Sequence, residues 1–373
     1  MKIGFDAKRA YNNAAGLGNF SRNTIASLAR QYPNDSFFLF HQENKDALFK
    51  ATENSIEITP DGLWWKFFPN TWRSFRIANK AKELNLDIYH GLSHELPVGI
   101  EKTGIKTVVT IHDLIYIRYP EYFKKIDRVI YDKKFRHACW VATRIHAISE
   151  QTKLDLNSFF DIPKEKIKVI YQAINPLYFS ILTEAQKLAV LGKYQLSKQF
   201  LLTVGTIEPR KNLLALLNGM LSAKIDLPLV VVGKPTVYMR EVQQLIDLHS
   251  TELKVIFLSS VNDADLQVLY QSAVAMIYPS VFEGFGLPVA EAQACGCPVI
   301  TSNTSSLPEA GGDAALYIDP QKPEEIGQAI WKVLYEPNLR ESLIAKGKVN
   351  AQRFTQENYS GQLKQMYNTI LND

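Results

Sequence analysis

Short apolar runs alternate with helix-length stretches along most of this chain, and this alternation limits the possible folds more than any other feature. Ten apolar runs are predicted strands, at residues 1–5, 36–41, 87–90, 106–111, 144–148, 168–171, 200–204, 229–232, 255–258 and 274–278. Most of them are followed by a stretch with helical periodicity. Strands that alternate with helices are typical of an α/β fold, in which a parallel sheet carries helices on both faces.

The chain is long enough for two domains of ordinary size, since it has 373 residues. It is 46% hydrophobic and 21% charged, as expected of globular domains with a well-formed core. The alternation restarts after residues 175–180, so this stretch is predicted to connect two doubly wound domains, residues 1–177 and 178–355. The ligand is expected between the two domains. Residues 323–373 are predicted to be mostly helical.

Charge, cysteine content and the lack of a long apolar run exclude several classes of protein. No run approaches the roughly 20 residues that cross a bilayer, and the N-terminus has no apolar signal segment, so a cytoplasmic location is predicted. Cys139, Cys295 and Cys297 are interpreted as small core residues, because the Cys-Gly-Cys spacing is too tight for a zinc site. The formal net charge of +4 suits anionic ligands or weak attachment to an anionic membrane, and does not indicate nucleic-acid binding.

The stretch YPSVFEGFGLPVAEAQACGCP, residues 278–298, combines a strand end, a glycine loop and a helix start. The glycines Gly284 and Gly286 permit unusual backbone angles, and Pro288 is suited to the first turn of a helix over residues 288–294. The free N–H groups near Gly286 and Leu287 would then stabilise an anion such as a diphosphate.

Two glutamates in this stretch are candidates for ligand binding. Glu283 precedes the predicted helix and is assigned to a sugar, whereas Glu291 lies about one turn inside it and is assigned to a ribose, because carboxylates accept well from vicinal hydroxyls. Any parallel α/β protein has strand ends with Gly and Pro, and a Glu in the first helical turn is favoured by the helix dipole alone. The loop therefore needs a second element to support a functional interpretation.

That second element is GTIEPRKN, residues 205–212, which also follows a predicted strand. Gly205 ends the strand, and Arg210 and Lys211 are adjacent cations at the start of a helix. A guanidinium binds two oxygens at once and an ammonium adds a point charge, so the pair can hold a diphosphate leaving group without a metal. Because Arg210, Lys211, Glu283 and Glu291 all follow strands of one predicted sheet, we expect them to lie together.

In the first half, polar residues follow two other predicted strands. His112 and Asp113 come directly after residues 106–111, and His94 and Glu95 follow residues 87–90. His112 is assigned to the donor sugar; His94, Glu95 and Asp113 are assigned to the acceptor side. A histidine after a strand is more often structural, and the structural interpretation is stronger still for His94 and Glu95.

Residues 6–20 are predicted to form a loop before a helix over residues 21–30. Gly16 and Gly18 in this loop could bring the backbone close to a phosphate or an acceptor, although the dinucleotide fingerprint GxGxxG is absent.

The stretch WWKFFPNTWRSFR, residues 64–76, mixes aromatic residues with cations. Aromatic rings and cations together favour an anionic membrane surface, so the stretch could lie on a membrane. A packed helix near the acceptor site explains the same residues equally well.

In combination these motifs resemble the retaining glycosyltransferases of family 4, which have the GT-B fold of two Rossmann-like domains facing across a cleft. The resemblance covers nearly the whole chain: GTIEPRKN, Glu283 and Glu291 with seven residues between them, LPEAGGDAALYIDP at residues 307–320, His112-Asp113, HAISE at residues 146–150 and the glycine loop at residues 16–18.

The resemblance implies roles for the motif residues. Arg210 and Lys211 would hold the donor diphosphate, with the loop of Gly284, Phe285, Gly286 and Leu287 around it. Glu283 and His112 would contact the transferred sugar, and Glu291 the ribose. The family needs no metal or other cofactor, and its last helix, residues 356–373 here, crosses back to the N-terminal domain.

The segments HGLSHELP and IHDLIYIRYPEYF are most similar to those of bacterial mannosyltransferases that use GDP-mannose in surface-polysaccharide or O-antigen assembly. The expected partners are therefore a nucleotide sugar and a glycan or lipid-linked saccharide, with possible peripheral contact at the inner membrane face. A UDP- or dTDP-sugar donor, a GT-B epimerase or phosphorylase, and a non-catalytic nucleotide-sugar binder remain alternatives.

Overall fold

The structure is a computed structural model that describes residues 1–42, 47–62, 65 and 67–373. The chain forms two compact units. The first unit contains Met1–Ala173 together with Gln356–Asp373, and the second contains Ile174–Thr355. The division after Ala173 lies four residues before the predicted one, and the C-terminal segment is counted with the first unit.

In the described residues, the first unit contains a seven-stranded sheet whose neighbouring strands are all parallel, in the order β3-β2-β1-β4-β5-β6-β7. The strands are β1 (Lys2–Asp6), β2 (Ser36–Phe40), β3 (Ser55–Ile58), β4 (Ile88–Gly91), β5 (Lys106–Ile111), β6 (Arg144–Ala147) and β7 (Ile167–Val169). The order reverses between β1 and β4, so polar side chains after these two strands meet at a topological switch point.

Helices cover both faces of this sheet. They span Lys8–Asn12, Gly16–Gln31, Pro69–Phe75, Ile77–Glu83, Ile115–Arg118, Lys125–Val141, Glu150–Phe160 and Gln356–Asn372. Alternate residues of β2 belong to different cores: Phe38 and Phe40 pack on one side of the sheet, and Phe37 and Leu39 on the other. Burial of both faces explains why β2 is a nearly continuous apolar run.

The C-terminal helix Gln356–Asn372 is held to the first unit by apolar and polar contacts. Leu363 and Ile370 are fully buried in its core. The Tyr367 hydroxyl lies 2.6 Å from Nδ1 of His90, and the Tyr359 hydroxyl lies 2.9 Å from Oγ1 of Thr24. The helix is therefore an integral part of this unit.

The second unit contains a six-stranded sheet in its described residues, again all parallel, in the order β10-β9-β8-β11-β12-β13. The strands are β8 (Leu201–Val204), β9 (Leu229–Val232), β10 (Val255–Leu258), β11 (Ala275–Tyr278), β12 (Val299–Ser302) and β13 (Ala315–Ile318). The order reverses between β8 and β11, which places the loops after these two strands at a second switch point.

The helices of the second unit span Glu184–Lys193, Leu213–Ser222, Met239–Leu248, Asp263–Ser272, Leu287–Ala294, Leu307–Gly311, Pro323–Tyr335 and Pro337–Ala351. Apolar residues of Leu213–Ser222, Met239–Leu248, Pro323–Tyr335 and Pro337–Ala351 form one core with β8, β9 and β11. The predicted helical tail is confirmed from Pro323 onward. Cys139 and Cys297 are buried, as predicted, and Cys295 is half-buried.

The predicted loop over residues 6–20 is wrong in two places. A short helix occupies Lys8–Asn12, and the following helix begins at Gly16, five residues before the predicted start. Gly18 lies in the first turn of that helix, where a Cβ atom would come within 1.7 Å of the Asn13 carbonyl oxygen. This glycine therefore lets two turns of the chain approach each other.

Candidate active site

The switch point of the second unit brings together the two loops singled out in the sequence. β8 pairs with β11 through Leu201 and Ala275, so both strands end at the same edge of the sheet. The Gly205 N–H donates to the Val232 carbonyl at 2.8 Å. A Cβ atom on Gly233 would lie 1.8 Å from the Gly205 carbonyl oxygen, so only glycine fits where the ends of β8 and β9 approach each other.

Arg210 and Lys211 lie in a single 3-10 turn, Pro209–Lys211, directly before the helix Leu213–Ser222. Asn212 connects this turn to the helix. It has φ +61°, a left-handed conformation that asparagine tolerates better than most residues. Its Nδ2 donates to the carbonyls of Pro279 at 3.2 Å and Pro320 at 2.7 Å. The turn that presents the two cations is thus fixed to the loop after β11.

Both cations converge on Glu283. Lys211 Nζ lies 2.6 Å and Arg210 Nη1 lies 2.8 Å from Glu283 Oε1, and the Tyr278 hydroxyl donates to the same oxygen at 3.1 Å. All three contacts end on Oε1. Arg210 also donates to the Phe282 carbonyl at 2.7 Å and to the Glu208 carboxylate at 2.5 Å, so its guanidinium is held at three points.

The buried cluster keeps its charges. Burial opposes ionisation of Glu283, but Lys211 and Arg210 outweigh that effect and hold its pKa at about 2. The pKa of Lys211 is lowered, because burial and the repulsion from Arg210 exceed the attraction of Glu283 and Glu208. Both cations contact Glu283, and Arg210 also pairs with Glu208. A further anion beside Lys211 would favour its charged form.

The glycine loop is locked by two serines and ends in a helix. Glu283 N–H donates to the Ser305 hydroxyl at 3.1 Å, and the Ser306 hydroxyl lies 2.9 Å from the carbonyls of both Glu283 and Phe285. Gly286 has φ +108° immediately before the helix Leu287–Ala294. The predicted strand, loop and helix are confirmed, with the helix starting one residue earlier than expected.

Glu291 lies inside this helix and contacts a different group. Its Oε2 accepts a hydrogen bond from the Tyr270 hydroxyl at 3.0 Å. Burial raises the pKa of Glu291 to about 7; the hydrogen bond from Tyr270 opposes this shift, and repulsion from Asp263 adds to it. Glu283 and Glu291 are therefore two carboxylates with opposite electrostatic environments.

The switch point of the first unit contains the predicted histidines. His112 Nε2 lies 3.0 Å from the Leu92 carbonyl, and burial lowers its pKa to about 4. A neutral ring that donates from Nε2 has an acceptor at Nδ1. The His94 ring lies 5.1 Å from the His112 ring and stacks on Phe135 at 4.3 Å. His94 also has φ +63°, a left-handed conformation that histidine adopts more often than most residues.

Glu95 and Asp113 have structural partners. Glu95 accepts from Arg73 at 2.7 Å and from Lys134 at 3.3 Å. Asp113 Oδ1 accepts the Ile115 N–H at 3.1 Å, at the start of the helix Ile115–Arg118. The structure thus brings His94, His112 and Glu95 to one edge of the first sheet, while Asp113 supports the helix beside them.

Comparison with known proteins identifies the family. The model of "Glycosyltransferase Family 4" matches residues 16–176, and that of "Glycosyl transferases group 1" matches residues 191–350. The O-antigen chain mannosyltransferase B of Escherichia coli is 35% identical, over 99% of this chain and 100% of the relative. The chain belongs to the family 4 glycosyltransferases.

Two further relatives of this glycosyltransferase are also named as enzymes that transfer a sugar. The O-antigen chain mannosyltransferase RfbU of Salmonella typhimurium is 28% identical, over 74% of this chain and 72% of the relative. The N-acetylgalactosamine-N,N'-diacetylbacillosaminyl-diphospho-undecaprenol 4-alpha-N-acetylgalactosaminyltransferase of Campylobacter jejuni is 30% identical, over 54% of this chain and 53% of the relative.

Solved structures confirm the predicted GT-B fold. The sucrose-phosphate synthase of Thermosynechococcus elongatus has a TM-score of 0.76 at 18% identity, covering 100% of this chain and 99% of that one. The Anabaena protein Alr3699/HepE, in complex with UDP and glucose, has a TM-score of 0.74 at 16% identity, covering 99% and 100%.

The aromatic stretch of the glycosyltransferase is partly packed and partly exposed. Trp64 and Lys66 lie outside the described residues. Trp72 is fully buried against Phe40, which agrees with a packed helix. Phe67 and Phe75, in contrast, are exposed, with exposed fractions of 77% and 58%.

Several side chains at the glycosyltransferase site were missed by the sequence analysis. Tyr278 was treated only as a strand end and Glu208 only as part of a motif, yet both bind the central cations. Ser305 and Ser306 precede the LPEAGG motif. Serine hydroxyls frequently bond to nearby backbone groups. Two adjacent serines directly before this motif could therefore have been predicted to fix a loop.

The described residues contain neither a metal-binding cluster nor a membrane-spanning helix. No group of three or more His, Cys, Asp or Glu side chains in that part of the chain is arranged to hold a metal ion. Within residues 1–42, 47–62, 65 and 67–373, no helix combines the length and the apolar character needed to cross a membrane.

Proposed function

We propose that this glycosyltransferase transfers mannose from GDP-mannose, with retention of configuration, to a glycan or lipid-linked acceptor in surface-polysaccharide assembly. The observation that carries the proposal is the convergence of Arg210, Lys211 and Glu283 at a switch point. The full-length relative from Escherichia coli and the Salmonella relative, both named O-antigen chain mannosyltransferases, support the sugar and the pathway.

Arg210 and Lys211 bind the donor diphosphate in this proposal. Breaking the sugar–phosphate bond leaves negative charge on the diphosphate, and two buried cations stabilise that charge more in the transition state than in the substrate. The N-terminus of the helix Leu287–Ala294 adds donors and a favourable dipole. These groups supply the charge that a metal would otherwise provide, so the reaction is proposed to be metal-independent.

The two glutamates bind the hydroxyl groups of the donor. Glu283 is ionised throughout the physiological range, and its Oε2, which the contacts with Arg210, Lys211 and Tyr278 do not use, accepts from the mannose. Glu291 accepts from the ribose once its carboxyl is ionised. His112 accepts a sugar hydroxyl at Nδ1, because its Nε2–H is committed to the Leu92 carbonyl.

The transfer step needs no covalent enzyme intermediate. The bond between the sugar and the diphosphate breaks, and the acceptor hydroxyl forms the new bond on the face that the diphosphate leaves. The departing phosphate oxygen takes the proton of that hydroxyl. The products are the glycosylated acceptor and the protonated nucleoside diphosphate, and the configuration of the sugar is retained.

The name of one relative supports the proposed acceptor. The name of the Campylobacter relative specifies a diphospho-undecaprenol-linked acceptor, which supports a lipid-linked saccharide here. Such a reaction belongs on the cytoplasmic side of the membrane, with peripheral contact through exposed aromatic residues such as Phe67 and Phe75.

Metal-free thermal unfolding with a panel of nucleotide sugars tests the donor. A ligand that binds only the folded state adds about 2.7 kcal/mol at a hundredfold excess over its dissociation constant, so we expect GDP-mannose and GDP to raise the Tm. Stabilisation by UDP or dTDP compounds alone would contradict the GDP-mannose assignment. Mannosyl product formation with a lipid-linked acceptor then distinguishes a transferase from an epimerase or a binder.

Glu291 makes donor use depend on pH. Because its pKa is about 7 in the free protein, kcat/KM for the donor is expected to rise roughly tenfold between pH 6 and pH 8, as the carboxylate gains charge-assisted hydrogen bonds. Glu291→Gln should lower kcat/KM and flatten this rise. Glu241→Gln, at an exposed helical position of the same unit, is the control and should keep the wild-type profile.

A further inference from the structure

A cationic cavity of about 290 Å³ lies at the switch point of the first unit, and its cations have no role in the reaction described above. It is lined by Lys8, Arg9, Arg73, Ser74, Glu95 and Lys134. Lys8 and Arg9 follow β1 and Glu95 follows β4, the two strands between which the order of the sheet reverses. Ligands of doubly wound sheets bind at such a point.

Two carboxylates hold one wall of this cavity. The Arg73 side chain, only 14% exposed, bonds from Nε to Asp6 Oδ2 at 2.9 Å and from Nη1 to Glu95 Oε2 at 2.7 Å. Lys134 Nζ lies 3.3 Å from the same Glu95 oxygen. These contacts fix the guanidinium and Glu95 without needing a ligand.

The cavity has more positive than negative charge. Lys8, Arg9, Arg73 and Lys134 supply four cations, and Asp6 and Glu95 supply two carboxylates. Lys8 and Arg9 are half-buried. Burial and the neighbouring Arg73 lower the pKa of Lys8, so a further anion there would relieve unfavourable interactions.

The cavity adjoins the histidines assigned to the sugar. Glu95 follows His94, whose ring lies 5.1 Å from that of His112. The positive charge of Arg9 also contributes to the lowered pKa of both histidines. The donor diphosphate is assigned to Arg210 and Lys211 in the second unit, so an anion in the first unit would belong to the other substrate.

We propose that this cavity binds the phosphate groups of an acceptor whose sugar is carried on a lipid diphosphate. The inference rests on the proposed function, because it assigns the cavity to the acceptor of that reaction. Its volume corresponds to roughly ten water molecules at ~30 Å³ each, which is room for a diphosphate. Ammonium and guanidinium groups supply the charge-assisted hydrogen bonds that phosphate oxygens accept.

The kinetic test compares two acceptors with the same sugar, one on a lipid diphosphate and one a neutral glycoside. Lys134→Gln and Lys8→Gln should each raise KM for the diphosphate-linked acceptor by about tenfold and leave KM for the glycoside unchanged. Lys133→Gln removes an exposed lysine outside the cavity lining on the same helix and should change neither value. Equal changes with both acceptors, or no change, would overturn the proposal.

A binding test separates this inference from the proposed function. Inorganic pyrophosphate is titrated calorimetrically into Arg210→Gln, which lacks one cation of the donor site, and into Arg210→Gln combined with Lys8→Gln, Lys134→Gln or Lys133→Gln. The expected heat persists in Arg210→Gln alone and with Lys133→Gln added, and is lost when Lys8→Gln or Lys134→Gln is added, even if no acceptor is turned over. Heat that persists in all variants would refute the site. Cavity-dependent pyrophosphate binding without discrimination between the two acceptors would show a free-phosphate site and overturn the acceptor assignment.

Discussion

Arg210→Ala is expected to lower kcat/KM by about 100- to 1,000-fold, equivalent to about 3 to 4 kcal/mol of transition-state stabilisation. The guanidinium contacts Glu283, Glu208 and the Phe282 carbonyl, so it is positioned before any donor arrives. Its removal takes away one of the two cations that face the leaving diphosphate. Initial rates with the donor and acceptor that the wild type uses would measure the loss.

Two further variants make the Arg210 result specific. Arg210→Lys keeps the charge but cannot bond to three partners in one plane, so an intermediate loss is expected. Arg240→Ala removes an exposed arginine of the same unit and should leave the rate unchanged. Urea unfolding of Arg210→Ala is needed alongside, because the side chain also fixes the loop at Phe282. A correctly folded Arg210→Ala with the wild-type kcat/KM would refute the assignment.

The same cluster shows how far the sequence could lead. The positions of β8 and β11 could be predicted, because each is an apolar run followed by Gly or Pro. The doubly wound pattern then predicted that the residues after these two strands lie at one edge of a sheet. That was sufficient to place Arg210, Lys211 and Glu283 together. It could not predict that Lys211 bonds to the Tyr278 hydroxyl, because the direction of a strand's last side chain depends on the twist and register of its neighbours.

Other features depended on contacts distant in sequence. Arg73 was grouped with an aromatic stretch, but its partner Asp6 lies 67 residues away, and only the folded sheet brings them together. Three strands, β3, β12 and β13, were missed. The sequences of β3 (SIEI) and β12 (VITS) contain only two apolar residues each, and β13 (ALYI) was treated as part of the motif at residues 307–320. Glu291 was predicted to bind a ligand, but its raised pKa follows from burial that the sequence does not reveal.

Buried histidines should make the first unit lose stability as the pH falls below about 6.5. His146 is fully buried, with Nδ1 at 3.0 Å from Thr110 Oγ1 and Nε2 at 2.8 Å from the Ile170 carbonyl. Burial lowers the pKa values of His146 and His112 to about 4. The unfolded chain therefore binds more protons between pH 6.5 and pH 4, and the free energy of unfolding decreases through that range.

The size of the effect can be isolated with one substitution. Each of these two histidines is expected to contribute a loss of about 2 kcal/mol between pH 7.5 and pH 5, because only its unfolded form gains a proton there. His146→Gln keeps a neutral amide in the site but cannot titrate, so its unfolding free energy should be lower at pH 7.5 and fall by about 2 kcal/mol less on acidification. His249→Gln, at a helix end of the second unit, is the control and should follow the wild type. Urea unfolding at both pH values measures this difference, and equal pH dependence in His146→Gln and the wild type would show that His146 is protonated in the folded state.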